Sequence, residues 1–357
     1  MSLREKLGQL LMVGFDGTTP SREVTRLVAT TRVGGVILFR RNVEEPPQVL
    51  VLTRALQRLA PKAPLFIAVD QEGGRVSRLP PPFTQFPPAA VLGKRNSFDL
   101  TYAVGEAMGG EMAAVGINMD MAPVLDVNTN AANPVIGDRA FGDSPIVVEE
   151  HGLAMIVGLQ DRRVIACAKH FPGHGATSAD SHLELPEVKV SLRQLERIHL
   201  RPFEHAIANR LAAVMTAHVR YPALDQAAPA TLSKKILTGL LRRAMGFEGL
   251  IITDDLEMKA ISARHDPAAA AVKAFQAGAD ILLFCRDTEA PRRAVELLAQ
   301  AVARGRLSEA RVDESLARIL RMKERFLLGS KPPTRPGIAR VVGCEAHLHL
   351  VQRLLSS

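Results

Sequence analysis

Eight short apolar runs, separated by segments with helical periodicity, are the feature that most constrains the fold of this 357-residue chain. The runs are rich in Val, Ile and Leu, as expected for parallel strands that are buried on both faces. They are QLLMVGF (9–15), GGVILF (34–39), PLFIAVD (64–70), INMDMAPVLDV (117–127), VIACAKHF (164–171), AAVMTAHV (212–219), GLIITDD (249–255) and ADILLF (279–284). The helical segments are 47–60, 99–115, 146–161, 191–209, 233–245, 266–277, 290–304 and 308–327. This alternation predicts an α/β protein with a parallel sheet.

A (β/α)8 barrel and an open, doubly wound sheet both produce such an alternation. No Gly-x-Gly-x-x-Gly motif follows an early run, which disfavours the dinucleotide-binding form of the open sheet. Polar residues also collect where the predicted strands end, namely at Asp70, Asp126, Lys169, His170, His218, Asp254, Asp255 and Arg286. Because a barrel has its active site at that end of its strands, we predict a single-domain (β/α)8 TIM-like barrel over residues 1–330. Residues 331–357 are expected to form a linker and a tail.

Composition disfavours several classes of function. The chain has no Trp and two Tyr, so it offers little aromatic surface on which bases or long sugar chains could stack. Its formal net charge is +8, but the 14 basic and 8 acidic residues from Arg286 onward account for six of these charges, and no nucleic-acid-binding module is recognisable. No apolar stretch reaches the roughly 18 residues of a membrane span, and the first apolar run lacks a signal-peptide cleavage site. Three separated cysteines indicate a reducing compartment. We therefore expect a cytoplasmic monomer that binds neither nucleic acid nor membranes.

The most informative stretch is AKHFPGHGATSADSH, residues 168–182, which Pro and Gly keep from being helical. One interpretation is a metal-dependent hydrolase with His170, His174 and His182 as ligands. Against it, the first two histidines would need a helical turn to share one face. The other interpretation pairs Asp180 with His182, two residues apart in an extended segment. The carboxylate would orient the imidazole and raise its proton affinity, so that the histidine acts as a general acid and base.

A second cluster of acids, in GLIITDDLEM, puts Asp254 and Asp255 at the end of a predicted strand. Adjacent strand residues point to opposite sides, so we expect one of the two to face the site and the other to orient a neighbour or cap the next helix. A carboxylate that faces a proton donor across the mouth of a barrel is what displacement at an anomeric carbon requires.

Four motifs, KHFPGHGATSADSH, ITDDLEM, DQEGGRVSR and NPVIGDRAFG, resemble those of the family 3 glycoside hydrolases, and in particular of their single-domain bacterial β-N-acetylglucosaminidases. The resemblance covers residues 5–330. It implies that Asp254 is the nucleophile and that His182 with Asp180 is the acid/base dyad. It also implies that a terminal N-acetylglucosamine is held by Asp70, Arg78, Arg139, Lys169 and His170. Supporting roles are expected for Arg75, Asp126, His174 and His218.

The implied activity is that of an exo-acting, retaining β-N-acetylglucosaminidase that uses no cofactor and no metal and acts on muropeptide fragments in cytoplasmic peptidoglycan recycling. A histidine acid departs from the usual pair of carboxylates. In two-domain members of the family a second domain supplies a Glu as the acid, so we expect the barrel's own loop to supply it in a chain of this length. The alternatives are a family 3 β-glycosidase of other sugar specificity, a glycoside phosphorylase, since a neutral histidine does not repel phosphate, and a sugar-sensing protein without catalysis.

Overall fold

A closed barrel of eight parallel strands forms the centre of the protein, whose computed structural model describes residues 1–181, 183–329 and 333–356. The first seven strands pair in chain order and the eighth pairs with the first, while an isolated bridge between Ile252 and Ile281 closes the seventh on the eighth. The backbone N–H of Thr253 donates to the carbonyl of Ile281 at 3.0 Å across this closure. The strands are β1 Leu11–Val13, β2 Gly35–Leu38, β3 Phe66–Val69, β4 Met119–Asp120, β5 Ile165–Phe171, β6 Ala213–Thr216, β7 Leu250–Thr253 and β8 Leu282–Phe284. The closure confirms the predicted barrel and excludes the open sheet.

Helices cover the outside of the barrel, which is why the strand residues are buried on both faces. The α-helices are α1 Leu3–Gln9, α2 Arg22–Arg26, α3 Pro46–Arg58, α4 Ala89–Arg95, α5 Phe98–Ala114, α6 Pro145–Asp161, α7 Leu192–Gln194, α8 Arg201–Ala208, α9 Lys259–Ser262, α10 Pro267–Ala277, α11 Glu289–Ala303, α12 Glu309–Leu327, α13 Arg335–Val341 and α14 Glu345–Leu355. Segments Leu27–Thr31, Leu195–His199 and Lys235–Ala244 are π-helical, and Arg40–Asn42, Gly137–Arg139 and Ala230–Leu232 are 3₁₀-helical. In the part of the chain that the structure describes, no helix is both long and apolar enough to cross a membrane.

Strand β4 is much shorter than the apolar run of residues 117–127 that predicted it. Pro123 has no N–H to donate, so the ladder is interrupted soon after Asp120. The chain nevertheless continues between its neighbours, since the N–H of Met121 donates to Val69 at 2.8 Å and the N–H of Leu125 donates to Lys169 at 2.6 Å. The run therefore spans the barrel wall, although only Met119 and Asp120 belong to a regular strand.

Two short hairpins and two C-terminal helices complete the fold. One hairpin pairs Gln71–Gly73 with Val76–Ser77 directly after β3, and the other pairs Arg220–Tyr221 with Asp225–Pro229 after β6. Helices α13 and α14 pack on α5. Helix α14 buries Leu350 and Leu354 there. The boundary at residue 330 stays a prediction, because residues 330–332 lie outside the described part.

Candidate active site

A cavity of about 610 Å³ opens at the carboxyl ends of the barrel strands. The structure brings six of the eight predicted site residues to its lining: Asp70, Arg78, Arg139, Lys169, His170 and Asp254. They come from β5 and from the loops after β3, β4 and β7, so only the closed barrel unites them. Asp180 is half-buried and is not among the lining residues. His182, the predicted acid, lies outside the described residues.

Lys169, at the end of β5, is the centre of a buried ionic network. Its ammonium lies 2.8 Å from a carboxylate oxygen of Asp70 and 2.6 Å from one of Glu72. Arg139 donates to both oxygens of Glu72, at 2.7 and 2.8 Å, in a bidentate pair. Two cations and two anions therefore balance in a region where the side chains of Lys169 and Glu72 are 3% and 4% exposed.

This network fixes the charge of its members. Burial disfavours the charged form of Lys169, but Asp70 and Glu72 outweigh burial and raise the pKa of the ammonium above its usual range. Burial likewise opposes ionisation of Glu72, yet Lys169 and Arg139 lower the pKa of that carboxyl far below its ordinary value. Charged groups held in this way are preorganised hydrogen-bond partners for the hydroxyls of a sugar.

The hairpin after β3 presents Arg78 to the cavity. The side chain of Gln71 closes the hairpin, since its amide oxygen accepts from the backbone N–H groups of Arg78 and Leu79 at 2.9 and 3.2 Å. Gly73 has a φ of +90°, and a Cβ there would lie 2.6 Å from the carbonyl oxygen of Pro87, so the turn requires glycine. The Nε of Arg78 is buried and has no hydrogen-bond partner among the described residues.

Asp126 organises the segment that follows β5. Its carboxylate accepts from the backbone N–H of His170 at 3.2 Å and from that of His174 at 2.5 Å, and its other oxygen lies 2.7 Å from Nδ1 of the His170 ring. Burial opposes ionisation of Asp126, but His170 outweighs it and lowers the pKa of the carboxyl. The carboxylate thus holds His170 with Nε2 left for other contacts, as expected for a supporting residue.

His174 is fixed by hydroxyls on both sides. Nδ1 lies 2.8 Å from Oγ1 of Thr177, and Nε2 lies 3.2 Å from Oγ of Ser181. Burial lowers the pKa of His174 to about 4, and His170 adds to this effect. Both ring nitrogens of His174 are therefore engaged by hydroxyl groups of the protein. In the described residues no group of three His, Cys, Asp or Glu side chains is arranged to hold a metal ion.

The two acids after β7 have different environments, although both line the cavity. One oxygen of Asp254 accepts from the N–H of Asp255 at 2.8 Å, whereas Asp255 accepts from the N–H groups of Glu257 and Cys285 at 3.1 and 3.3 Å. Strand alternation does not separate them, because the strand ends at Thr253. Asp255 therefore joins the loops after β7 and β8, whereas Asp254 accepts from the backbone of its neighbour in the sequence.

Comparison with known proteins identifies the family. Residues 2–322 match the model of the glycosyl hydrolase family 3 N-terminal domain. The chain belongs to glycosyl hydrolase family 3. A family 3 β-N-acetylglucosaminidase of known structure from Paenibacillus sp. str. FPU-7 superposes with a TM-score of 0.96 at 41% identity, over 99% of this chain and 68% of that one.

Two curated relatives carry the name β-hexosaminidase. The protein from Nitrosomonas eutropha is 39% identical over 346 residues, which are 93% of this chain and 97% of that protein. β-Hexosaminidase A from Pseudoalteromonas piscicida is 38% identical over 87% of this chain, which spans only 56% of that relative's length. This family 3 chain is thus similar to relatives of about its own length and to much longer ones.

Sequence reasoning missed two acids of this family 3 site. Glu72 bonds both cations of the buried network, and strand alternation could have found it, since it is two residues from Asp70 and shares its side. Glu257 lines the cavity and accepts from the N–H groups of Cys285, Arg286 and Asp287 at 2.7 to 2.9 Å. No local signal marks Glu257, because its partners are 28 to 30 residues away.

Proposed function

We propose that this protein is a retaining β-N-acetylglucosaminidase that removes a terminal, non-reducing N-acetylglucosamine. The observation that carries this activity is the single cavity that Asp254 shares with Asp70, Arg78, Arg139, Lys169 and His170. The names of the family 3 relatives support the same sugar. A pocket of this size, with few aromatic residues and many fixed charges, suits one polar sugar ring rather than a long chain.

In the proposed mechanism Asp254 attacks the anomeric carbon while His182, paired with Asp180, gives a proton to the glycosidic oxygen. The bond between that oxygen and the sugar breaks, and the aglycone leaves as an alcohol. A water molecule then attacks the glycosyl-enzyme, and His182 takes a proton from it, which releases the sugar and regenerates Asp254. Two displacements retain the β configuration.

The loop that carries the proposed dyad is anchored beside the cavity. Ser181 is adjacent to both dyad residues in the sequence, is buried, and lines the cavity through its contact with His174. Asn133, from the loop after β4, donates to the carbonyl of His174 at 2.9 Å. These contacts support delivery of a proton from this loop.

A variant at the nucleophile tests the activity. Asp254→Asn is expected to abolish hydrolysis of p-nitrophenyl β-N-acetylglucosaminide, because an amide does not attack the anomeric carbon. The control is Asp99→Asn, at an exposed carboxylate in the first turn of α5, which should keep full activity. Hydrolysis by Asp254→Asn at the wild-type rate would exclude this assignment.

A variant of the dyad tests the acid. His182→Ala should slow substrates with poor leaving groups much more than activated aryl glycosides, since only the former need the proton. An equal loss for both kinds of substrate would point to a positioning role.

As the natural substrate we propose N-acetylglucosaminyl muropeptides, which the protein would hydrolyse as a cytoplasmic monomer in peptidoglycan recycling. A panel of β-linked p-nitrophenyl sugars beside a muropeptide digest measures sugar and aglycone preference together. Parallel reactions with and without phosphate separate hydrolysis from phosphorolysis, because a phosphorylase would release a sugar phosphate. Activity that survives a chelator would remove the metal-dependent alternative.

A further inference from the structure

A second cavity, of about 530 Å³, lies at the opposite end of the barrel and shares no lining residue with the active site. It is enclosed by the π-helical segment Lys235–Ala244, by the end of α10 and by the start of α12. Asp280, just before β8, lies beneath it and accepts a hydrogen bond from the N–H of Ile251 at 3.1 Å. The cavity is therefore built on the amino ends of β7 and β8, remote from the proposed chemistry.

The inner wall of this cavity has more positive charge than its carboxylate can neutralise. Arg242, Arg311 and Arg318 approach the two oxygens of Asp280 at 2.7, 3.8 and 3.2 Å. These guanidinium side chains are 15% to 20% exposed, and the Asp280 side chain is fully buried. Three cations thus converge on one anion, and all three line the cavity, although Arg242 and Arg311 also donate to Gly249, Ser315 and Ala279.

The three guanidinium groups repel one another, which raises the free energy of this arrangement. Burial lowers the pKa of Arg242 to about 10. Asp280 stabilises the charged form of this arginine, and repulsion from Arg318 and Arg311 offsets part of that stabilisation. Burial also lowers the pKa of Arg311, again with Arg318 opposing its charge. An additional anion in the cavity would relieve this repulsion.

The rim adds three more cations, Lys234, Arg243 and Arg306. All three are exposed, and among the described residues their side chains make no ion pair. Glu314 is the one carboxylate among the lining residues. The first turn of α12 also borders the cavity, where the helix dipole favours negative charge.

We propose that this cavity, which we name the basic pocket, binds the phosphate group of a small molecule. Guanidinium groups match phosphate oxygens with paired, charge-assisted hydrogen bonds, and a phosphate monoester carries up to two negative charges at neutral pH. The volume suits a compact metabolite and not only an ion. Because the basic pocket is separate from the active site, its ligand stabilises the folded chain without competing with the sugar substrate.

Thermal unfolding of the full chain tests the basic pocket. Inorganic phosphate and glucose 6-phosphate are titrated at constant ionic strength, with chloride as the balancing anion. We expect the Tm to rise and to saturate with either compound. Saturation at a lower concentration of glucose 6-phosphate assigns the basic pocket to phosphate esters, and saturation at equal concentrations assigns it to free phosphate.

The double variant Arg243→Ser/Arg306→Ser removes two rim cations and leaves the buried Asp280 cluster intact. Its half-saturating concentration should rise about tenfold or more, from the loss of charge-assisted contacts. The control is Arg304→Ser, an exposed residue outside the lining, which should saturate like the wild type. If the double variant does not fold, Arg243→Ser and Arg306→Ser are titrated separately in its place.

Two results would overturn the proposal. One is a Tm that phosphate and chloride raise equally at matched ionic strength, which would mark a non-specific charged surface. The other is wild-type saturation in the rim variants, which would assign the bound phosphate to the active site or elsewhere.

Discussion

The ammonium of Lys169 lies 2.6 Å from the carboxylate of Glu72, and the same carboxylate receives both arms of Arg139. One acid therefore sets the positions of two cations, of which one lies on β5 and the other in the loop after β4. All three side chains are at most one-tenth exposed. The proposed substrate-binding wall thus depends on Glu72, a residue that need not touch the substrate itself.

Replacing Glu72 by Gln should therefore damage both the fold and the site. The substitution leaves two buried cations with Asp70 as their only nearby carboxylate partner in the network, and breaking a buried ion pair costs about 3–5 kcal/mol. We expect a loss of this order in the free energy of unfolding, measured by urea titration, together with a higher KM. Glu248→Gln, at an exposed position, is the control and should unfold like the wild type. Wild-type stability of the Glu72 variant would show that the network contributes nothing.

Asp126 should control how His170 meets the sugar. In Asp126→Asn an amide replaces the carboxylate that lies 2.7 Å from Nδ1 of His170, so the ring loses its charged partner. Loss of one well-oriented contact predicts a rise in KM of roughly tenfold to a hundredfold, with a smaller change in kcat. Steady-state kinetics on an aryl N-acetylglucosaminide measure both parameters. Asp138→Asn, at a half-exposed carboxylate after β4, is the control; an unchanged KM in Asp126→Asn would separate His170 from substrate binding.

Asp255 should make stability fall as the pH rises from about 4 to about 7. Burial raises its pKa to about 7, above the value near 4 of the unfolded chain. The folded protein therefore binds this proton more tightly, and its advantage is complete below pH 4 and is lost as the pH rises through the folded-state pKa. Asp255→Asn removes the ionisation, so the variant should gain stability relative to the wild type across this window, by about 1.4 kcal/mol for each unit of pKa shift.

Urea unfolding at pH 5 and pH 8 measures this difference. Asp143→Asn, at an exposed carboxylate, should track the wild type at both values. At each pH, the free energy of unfolding of Asp255→Asn is compared with that of the wild type. If this difference is the same at pH 5 and pH 8, Asp255 titrates normally.

The packing of the C-terminal helices should depend on how closely Gly343 approaches the loop that contains Pro82. Gly343 has a φ of +63°, and a Cβ there would overlap the carbonyl oxygen of Pro82, in the loop that follows Arg78. Gly305 has a φ of +68° with nothing near a Cβ, so Gly305→Ala reports the backbone strain alone, about 1–2 kcal/mol. Gly343→Ala should cost more than Gly305→Ala in urea unfolding and should also raise KM through the displaced loop. Equal costs would show that the loop and the C-terminal segment move apart freely.

The C-terminal segment is tied to the same loop by Glu111. Its carboxylate accepts from Thr84 through both the backbone N–H and the hydroxyl, at 2.9 and 2.6 Å, and from the N–H of Gly343 at 2.9 Å. His347 lies 2.7 Å from the same carboxylate. The contacts of Gly343 and His347 join residues more than 230 positions apart, and no pattern in the sequence of residues 331–357 indicates them.

The sequence by itself determined the barrel and most of the residues around its mouth. Buried parallel strands must be apolar along their whole length, so the eight apolar runs can be recognised in the sequence before the paired strands are known. The polar residues that end these runs mark the carboxyl ends of the strands. The motifs around Asp70, Lys169 and Asp254 are each local, and the barrel brings them to one cavity.

Only the tertiary structure decided which charges pair. Glu72 joins Lys169 to Arg139, and Asp280 collects three guanidinium groups, through contacts between residues 31 to 97 positions apart for the described pairs. The energy of a buried charge depends on what lies within a few ångströms of it in space, and that neighbourhood does not exist until the strands close. Periodicity and motifs therefore predicted the barrel and its mouth, while the closed fold set the charge states and created the basic pocket.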